Sequence, residues 1–322
     1  MKFLSRALLS AVLGLAIVGP AQAQSDYPNR TITLMVGFSA GGNLDTRARR
    51  VSPFMEKHLG GATIAVVNRP GASGAVMQTE LANAAPDGYT LGMLSMPGLV
   101  TVLFGNDVDY SVDDFEYAGT FTFEPHSLMV GADTPYQTTE DIIAAAKANP
   151  GAVTVGGAGI GSAAHLALKV LERSAGVTFN FIPAQGAANM RNQVLGGHIE
   201  GGVTTVSGSI PLQEAEKVRV LGVMSAERVS IAPQVPTFAE KGYPVEWGAL
   251  RGIAAPAGTP PEVMKKLSDA IVATMNDPEF QALAKKERQL LSYRDGAAFE
   301  QSARDQYDLL KGIWDEDPWI KD

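Results

Sequence analysis

Short apolar runs alternate with longer amphipathic segments along most of this chain. Apolar runs of about four to eight residues that end at glycine, proline or asparagine are typical of buried strands, whereas apolar residues spaced three and four apart are typical of helices. The pattern predicts strands at 32–36, 63–68, 89–94, 115–121, 127–130, 153–156, 179–182, 201–205, 218–224 and 252–255.

Helices are predicted between and after these strands. Their ranges are 138–148, 162–174, 188–195, 278–287 and 296–314. Another helix follows the first strand, and Pro53 should kink it because proline lacks the amide hydrogen that a helix interior needs. One more helix should run to Met275 from a capping box formed by Thr259 and Glu262.

The alternation of strands and helices predicts an α/β fold, with doubly wound parallel sheets flanked by helices. A chain of 322 residues suits two lobes better than a single core. Sheets of this kind bind ligands outside the carboxyl ends of their strands, so the connections at those ends are the places to look for a site.

The first 23 residues have the pattern of a cleavable signal peptide. Lys2 and Arg6 precede an apolar run at 7–18, and Ala21-Gln22-Ala23 forms a small-residue cleavage site. The apolar run is too short to span a bilayer, which needs roughly 20 residues. The sequence therefore predicts a soluble, exported protein that begins at Gln24 and resides in the periplasm.

Charge and cysteine content exclude several functions. The net charge is −8, which argues against a nucleic-acid partner because such a partner favours a basic face. The chain contains no cysteine, which excludes disulfides, thiol catalysis and thiolate metal sites. His and carboxylate residues show no metal-ligand spacing either, so no metal or cofactor is expected.

A glycine-rich turn joins the first strand to the first helix. It contains Phe38, Ser39, Ala40, Gly41, Gly42, Asn43 and Asp45. Glycines let the backbone approach a ligand closely, and the unpaired N–H groups of the first helical turn carry the positive end of the helix dipole. The junction is therefore a candidate anion site.

The same turn also matches the G-x-S-x-G nucleophile elbow of α/β-hydrolases, with Ser39 as the nucleophile. His165 or His198 could then act as the base. An elbow normally follows earlier strands that supply the oxyanion loop, whereas only the leader precedes this first strand. A serine hydrolase therefore remains the alternative interpretation.

A second glycine turn at 156–162 repeats this arrangement in the other half of the chain. Its glycine spacing departs from G-x-G-x-x-G, and no acidic residue follows at the distance that would hold a ribose, so a dinucleotide site is not expected. Two such turns, each opening a helix, are best explained by a cleft with one anion-binding wall on each side.

Seven ordered motifs resemble those of the periplasmic receptors of tripartite tricarboxylate transporters, also called the Bug family. They begin with Tyr27-Pro28-Asn29-Arg30 and the Gly-Gly-x-x-Asp turn that ends at Asp45. The others are at 68–74, 85–91, 159–166, 235–244 and 251–260. The resemblance covers the whole mature chain and implies a two-lobe type II periplasmic-binding clamshell, with residues 24–120 and 226–322 in lobe I and 121–225 in lobe II.

The resemblance also implies a ligand site and partners. The candidate ligand-binding residues are Phe38, Ser39, Ala40, Gly41, Gly42, Asn43, Asp45, Gly159, Ser162, His165, Ala184, Gln185, Thr204 and Thr205. The ligand would be a small carboxylate, and the partner would be the integral-membrane permease of the transporter. A monomer without enzymatic activity is expected, although a receptor that signals to a membrane sensor is an alternative.

This chain departs from the family pattern where a lysine is common. Relatives often have Pro-Tyr-Lys-Gly in the loop that here is Pro183-Ala184-Gln185-Gly186. The second wall therefore lacks that fixed positive charge. Simpler roles remain open for other residues: Asp45 as a helix-start residue, His165 as a packing histidine, and Trp314 and Trp319 as surface packing.

Overall fold

A computed structural model describes residues 27–104 and 107–319, so the predicted signal peptide lies outside the described residues. The strands in these ranges are β1 (Ile32–Val36), β2 (Ile64–Asn68), β3 (Thr90–Met96), β4 (Phe115–Gly131), β5 (Thr154–Gly157), β6 (Asn180–Pro183), β7 (Gly201–Thr205), β8 (Val218–Val223) and β9 (Gly248–Pro256). The helices are α1 (Asn43–His58), α2 (Ala75–Ala82), α3 (Gly98–Thr101), α4 (Thr139–Ala148), α5 (Ala163–Ala175), α6 (Ala187–Leu195), α7 (Val206–Glu214), α8 (Pro261–Met275), α9 (Pro278–Lys286) and α10 (Gly296–Glu316).

The strands form one continuous sheet in the order β2-β1-β3-β9-β4-β7-β5-β6, with β8 also paired to β4. β1 pairs in parallel with β2 and β3, and β5 pairs in parallel with β6 and β7. The long strand β4 joins these two parallel groups. It pairs with β9 as far as Pro125 and with β7 from His126 onward.

β4 is one strand where the sequence predicted two separate ones. The residues between the predicted strands include Glu124-Pro125-His126, which interrupt the apolar pattern. Pro125 is accommodated because it lies opposite Gly248 of β9. A Cβ atom at Gly248 would stand 2.6 Å from the Cα of Pro125 and 2.5 Å from the carbonyl oxygen of Glu124, so only glycine allows this approach.

Two helix predictions need correction or remain open. The capping box at Thr259 is wrong: α8 begins at Pro261 with Pro260 as its N-cap, and the Thr259 hydroxyl donates instead to the Pro256 carbonyl at 2.7 Å. Pro261 at the first helical position needs no amide hydrogen there. α1 is continuous through Pro53, and the kink there stays a prediction.

The C-terminal segment packs inside the molecule, so the predicted surface position is wrong for Trp319. This residue is 6% exposed, and its ring lies 5.4 Å from that of Phe104 and 4.8 Å from that of Trp314, measured between centroids. Asp317 also forms an ion pair with Lys169 of α5 at 2.8 Å. The segment after α10 therefore contacts both α5 and the segment that follows α3. No helix in the described ranges combines the length and apolar composition needed to cross a membrane.

Candidate functional site

Strand register places the first glycine turn at one edge of the sheet. β1 ends at Val36, which pairs with Met93 of β3. Two residues further along β3, Ser95 pairs with Arg251 of β9. Since strands advance by the same length per residue, the turn after Val36 lies level with Ser95 and Arg251.

The second glycine turn occupies the corresponding edge of the other half. Gly156 of β5 pairs with Gly202 of β7, and two residues further along β7, Thr204 pairs with Ser127 of β4. On β4, Ser127 lies five residues beyond Thr122, the partner of Arg251. At about 3.3 Å per residue, the two turns flank a stretch of β4 that is at most about 17 Å long.

Asp45 organises the first turn. Gly41 has a left-handed φ of +79° and donates its N–H to Oδ2 of Asp45 at 2.8 Å. The same carboxylate, which is 2% exposed, accepts hydrogen bonds from Arg49 at 3.0 Å and from Asn68 at 2.9 Å. Burial alone would raise the pKa of Asp45, but the bonds from Arg49, Gly41 and Asn68 outweigh it and lower the pKa, so the group stays ionised.

The start of α1 is open to solvent beside this turn. Gly42 is the N-cap of α1, and no side chain among the described residues caps the first helical turn. Phe38, Ser39, Ala40 and Asn43 are all exposed. The first-turn N–H groups therefore face outward with the positive end of the helix dipole behind them, which suits an anion.

The second turn has the same design with a different acceptor. Gly161 has φ +71° and donates its N–H to Nδ1 of His165 at 3.1 Å. Ser162 is the N-cap of α5. Its hydroxyl oxygen accepts the backbone N–H of His165 at 3.2 Å, and the hydroxyl donates to the Gly159 carbonyl at 2.7 Å. Asp45 and His165 are both the third residue of their helices, so each fixes the glycine that precedes its N-cap.

His165 is a neutral packing residue in this structure. Its ring stacks on Phe181 with 4.1 Å between centroids, and only 6% of the residue is exposed. Burial, with a smaller effect from Lys169, lowers the pKa of His165 to about 4. Because Nδ1 accepts from Gly161, the single proton of the neutral ring is on Nε2.

The loop with Ala184 and Gln185 lies next to the second turn. The Ala184 N–H donates to the Gly157 carbonyl at 2.9 Å, and a Cβ at Gly159 would stand 3.9 Å from the Ala184 carbonyl oxygen. Ala184 is buried, whereas Gln185 is exposed. Gly186 is the N-cap of α6, which again receives no side-chain cap from the described residues.

Thr204 and Thr205 end β7, one strand from the second turn. Thr204 is buried, and Thr205 is the N-cap of α7. The Thr205 hydroxyl lies 3.2 Å from that of Ser207. The structure thus groups the first-turn residues on one edge and Gly159, Ser162, Ala184 and Gln185 on the other, with the two threonines beside the joining strand.

Sequence reasoning missed a charged cluster on the joining strand. Glu124 accepts a hydrogen bond from Ser207 of α7 and pairs with Arg251 at 3.5 Å. Burial alone would raise the pKa of Glu124, but Ser207 and Arg251 outweigh it and lower the pKa. The sequence signal was a glutamate inside an otherwise apolar strand, although its partners come from elements far apart in the chain.

The hydrolase arrangement finds no support in this geometry. Among residues 27–104 and 107–319, no hydrogen bond joins Ser39 to a histidine, and Nδ1 of His165 is occupied by the Gly161 N–H. His198 lies in the turn after α6, at an exposed position. In the same ranges, no cluster of His, Asp and Glu residues could hold a metal ion.

Comparison with known proteins shows the family. Residues 47–315 match the tripartite tricarboxylate transporter family receptor. The UPF0065 protein in the gbd 5′ region of Cupriavidus necator is 36% identical over 282 residues, covering 87% of this chain and 85% of that protein. The prediction made from the ordered motifs is therefore confirmed.

Solved structures show the same fold. A TctC solute-binding protein from Polaromonas has a TM-score of 0.84 and 32% identity, covering 90% of this chain and 99% of the other. MatC from Rhodopseudomonas palustris, with bound malate, has a TM-score of 0.68 and 26% identity, covering 89% and 99%. An adipate-bound protein from R. palustris has a TM-score of 0.69 and 26% identity, covering 90% of this chain and 98% of the other. The α/β two-lobe receptor fold is confirmed, and this chain belongs to the family of tripartite tricarboxylate transporter receptors.

Proposed function

We propose that this protein captures a small organic acid between its two glycine turns, in the periplasm, and delivers it to the membrane permease of a tripartite tricarboxylate transporter. The main support is that both turns have the same hydrogen bond. In each, the side chain of the third helical residue accepts the backbone N–H of the glycine that precedes the N-cap. With that glycine held, the next backbone N–H groups are pre-oriented for a carboxylate.

Family membership supports the ligand class. The malate and adipate complexes of the two R. palustris proteins show that structural neighbours at 26% identity bind dicarboxylates. In the part of the chain that the structure describes, no side chain caps the N-termini of α1 and α6, which leaves donors for acidic groups on both edges. The proposed contacts are the residues of the first turn with Gly159, Ser162, Gln185, Thr204 and Thr205, while His165 and Ala184 position the second wall.

The proposed lobes are residues 24–120 with 226–322, and residues 121–225. β4 crosses the first boundary between them, and Met224 lies beside the second. Trp247 is hydrogen-bonded to both of these segments. The backbone N–H of Trp247 donates to the Met224 carbonyl at 3.0 Å, and the backbone carbonyl of Trp247 accepts from the backbone N–H of His126 at 2.9 Å. Lobe closure around a ligand would bend the chain at these crossings.

Catalysis is not part of the proposal. Within the described parts of the chain, Ser39 is hydrogen-bonded to no base, and the acidic groups near the turns are committed to backbone or arginine partners. A receptor that presents its liganded form to a membrane sensor would use the same cleft, and deletion of the permease distinguishes the two. Loss of acid uptake without the permease supports transport.

Mass spectrometry of the ligand retained on gently purified protein tests the proposal. We expect a small carboxylic acid at near-stoichiometric occupancy. Ala40→Asp, which adds a negative charge at the exposed first turn, should lose it. Val272→Asp on the exposed part of α8 is the matched control and should retain it. A neutral ligand, or equal retention by both variants, would contradict acid capture at this turn.

A further inference from the structure

The floor of the cleft carries one more positive charge than its neighbouring carboxylates balance. Three arginines line one small cavity there: Arg47 and Arg50 of α1 and Arg251 of β9. The carboxylates that act on them are Glu124, paired with Arg251 at 3.5 Å, and Glu287, paired with Arg50 at 2.9 Å. Arg47 is the cation left over, in a protein whose net charge is −8.

Arg47 is attracted by both carboxylates but bonded to neither. Within the described parts of the chain, its guanidinium forms no hydrogen bond and no ion pair. Burial lowers its pKa, but an arginine remains charged at any pH of interest. A half-buried guanidinium with its planar donors unused is a binding site for a carboxylate, which accepts from those donors.

Its position places it beside the first turn. Arg47 follows Asn43 by one helical turn, so both residues lie on one face of α1, with their Cβ atoms roughly 5 to 6 Å apart. Arg251, with which it shares a small cavity, is level with the first turn by strand register. The Oγ1 atom of Thr122 in the same cavity is buried and, among the described residues, has no hydrogen-bond partner.

Because Glu124 already pairs with Arg251, Arg47 is the arginine of this cavity that is left to bind an added anion. Glu124 occupies the donor side of Arg251 and also binds Ser207 of α7, so a second anion at Arg251 would meet its negative charge. No carboxylate of the described chain holds Arg47 in this way. For an acid whose first carboxylate lies on the α1 N-terminus, Arg47 is therefore, among the described residues, the unpaired cation one helical turn away.

We propose that Arg47 binds the second carboxylate of the ligand and makes the receptor selective for diacids over monoacids. This inference rests on the proposed capture of an organic acid. It assigns the distal charge to the first wall, which is consistent with the uncharged Gln185 on the second wall.

Titration calorimetry of wild type, Arg47→Gln and Arg47→Lys would test this. The probes are the unbranched diacids from malonate to suberate, malate, and monoacids of matching chain length. We expect Arg47→Gln to weaken diacid binding roughly ten- to a hundred-fold and to leave monoacid binding within about two-fold, since a bond to a charged group is stronger than one to a neutral group. Arg47→Lys should restore part of the loss.

Lys265→Gln is the matched control because it removes the same charge from an exposed pair with Asp269 on α8. It should leave both affinities unchanged. If Arg47→Gln weakens the binding of diacids and monoacids equally, or leaves both affinities unchanged, the assignment of the second carboxylate to Arg47 is wrong while the proposed capture of an organic acid stands. Failure of wild type to bind any acid of the panel would contradict the proposed function itself.

Discussion

Gly161 donates its N–H to Nδ1 of His165, which lies four residues further along the chain, over 3.1 Å. Gly41 and Asp45 have the same relationship in the other half of the molecule, over 2.8 Å. One wall of the proposed cleft thus uses an ionised carboxylate to fix its turn, and the other uses a neutral imidazole. The neutral acceptor adds no negative charge beside the second wall, where an acidic ligand would have to approach.

The left-handed conformation of Gly41 should be needed for binding. Gly41→Ala meets no atom within 4 Å, so its cost is the backbone strain of a φ of +79°, about 1 to 2 kcal/mol. Relief of that strain would turn the neighbouring N–H groups away from the ligand. Gly176→Ala, at φ +62° and equally unobstructed, is the control because it ends α5 far from the cleft. Calorimetry and thermal melting should show similar destabilisation for both and weaker acid binding for Gly41→Ala alone.

His165 should make stability fall in acid. Its folded-state pKa of about 4 lies below its usual value of 6.5, so between these pH values the unfolded chain binds a proton that the folded protein excludes. Stability is then lost as pH falls through this window. His126, whose pKa burial also lowers to about 4, contributes in the same direction.

Melting curves between pH 7 and pH 4 would measure this effect. His165→Gln should be less stable near pH 7, because it loses the stacking on Phe181, and should depend less on pH. His198→Gln, at an exposed position, should behave as wild type. If the melting temperature of His165→Gln depends on pH as strongly as that of wild type, protonation of His165 does not destabilise the folded protein.

Ser39 should act as a hydrogen-bonding residue and not as a nucleophile. Ser39→Ala should have no esterase activity to lose and should weaken acid binding by about 0.5 to 1.5 kcal/mol, the net worth of a neutral hydrogen bond. Ester hydrolysis assays and calorimetry on the same preparations give both readouts. Wild-type turnover that disappears in Ser39→Ala would support the hydrolase interpretation instead.

Local signals in the sequence were enough to predict the two turns. Strand, glycine turn and helix follow each other within each segment, and Ser162 caps α5 as its residue type favours. The family motifs then identified the receptor. The continuous β4 was missed because Pro125 is tolerated only through Gly248, which is distant in sequence.

The charged floor was missed for the same reason. Arg47, Glu124 and Arg251 come from α1, β4 and β9, and only the sheet register brings them together. Trp319 was misplaced because its aromatic partner Phe104 follows α3, in another part of the fold. Long-range pairing of this kind leaves no periodic pattern in the chain.

Gln185 should influence specificity if it faces the ligand. Gln185→Lys places a charge at an exposed position of the second wall, and a bond to a charged group is worth roughly 1.5 to 3 kcal/mol against about 1 for a neutral one. Because the added charge attracts both carboxylates of a diacid, including the one proposed to lie on Arg47, we expect a higher ratio of diacid to monoacid affinity, with a larger effect at low salt. An unchanged ratio would mean that Gln185 points away from the ligand.

The central claim is that backbone N–H groups at the helix N-termini hold an ionised carboxylate. Titration calorimetry with the acid retained on the protein and with its neutral amide analogue, from neutral to acidic pH, tests it most directly. Helix dipoles favour negative charge, so the acid should bind more tightly than the amide and should lose affinity as pH falls through its own pKa. Equal affinity for acid and amide, or acid binding that does not change with pH, would contradict the claim.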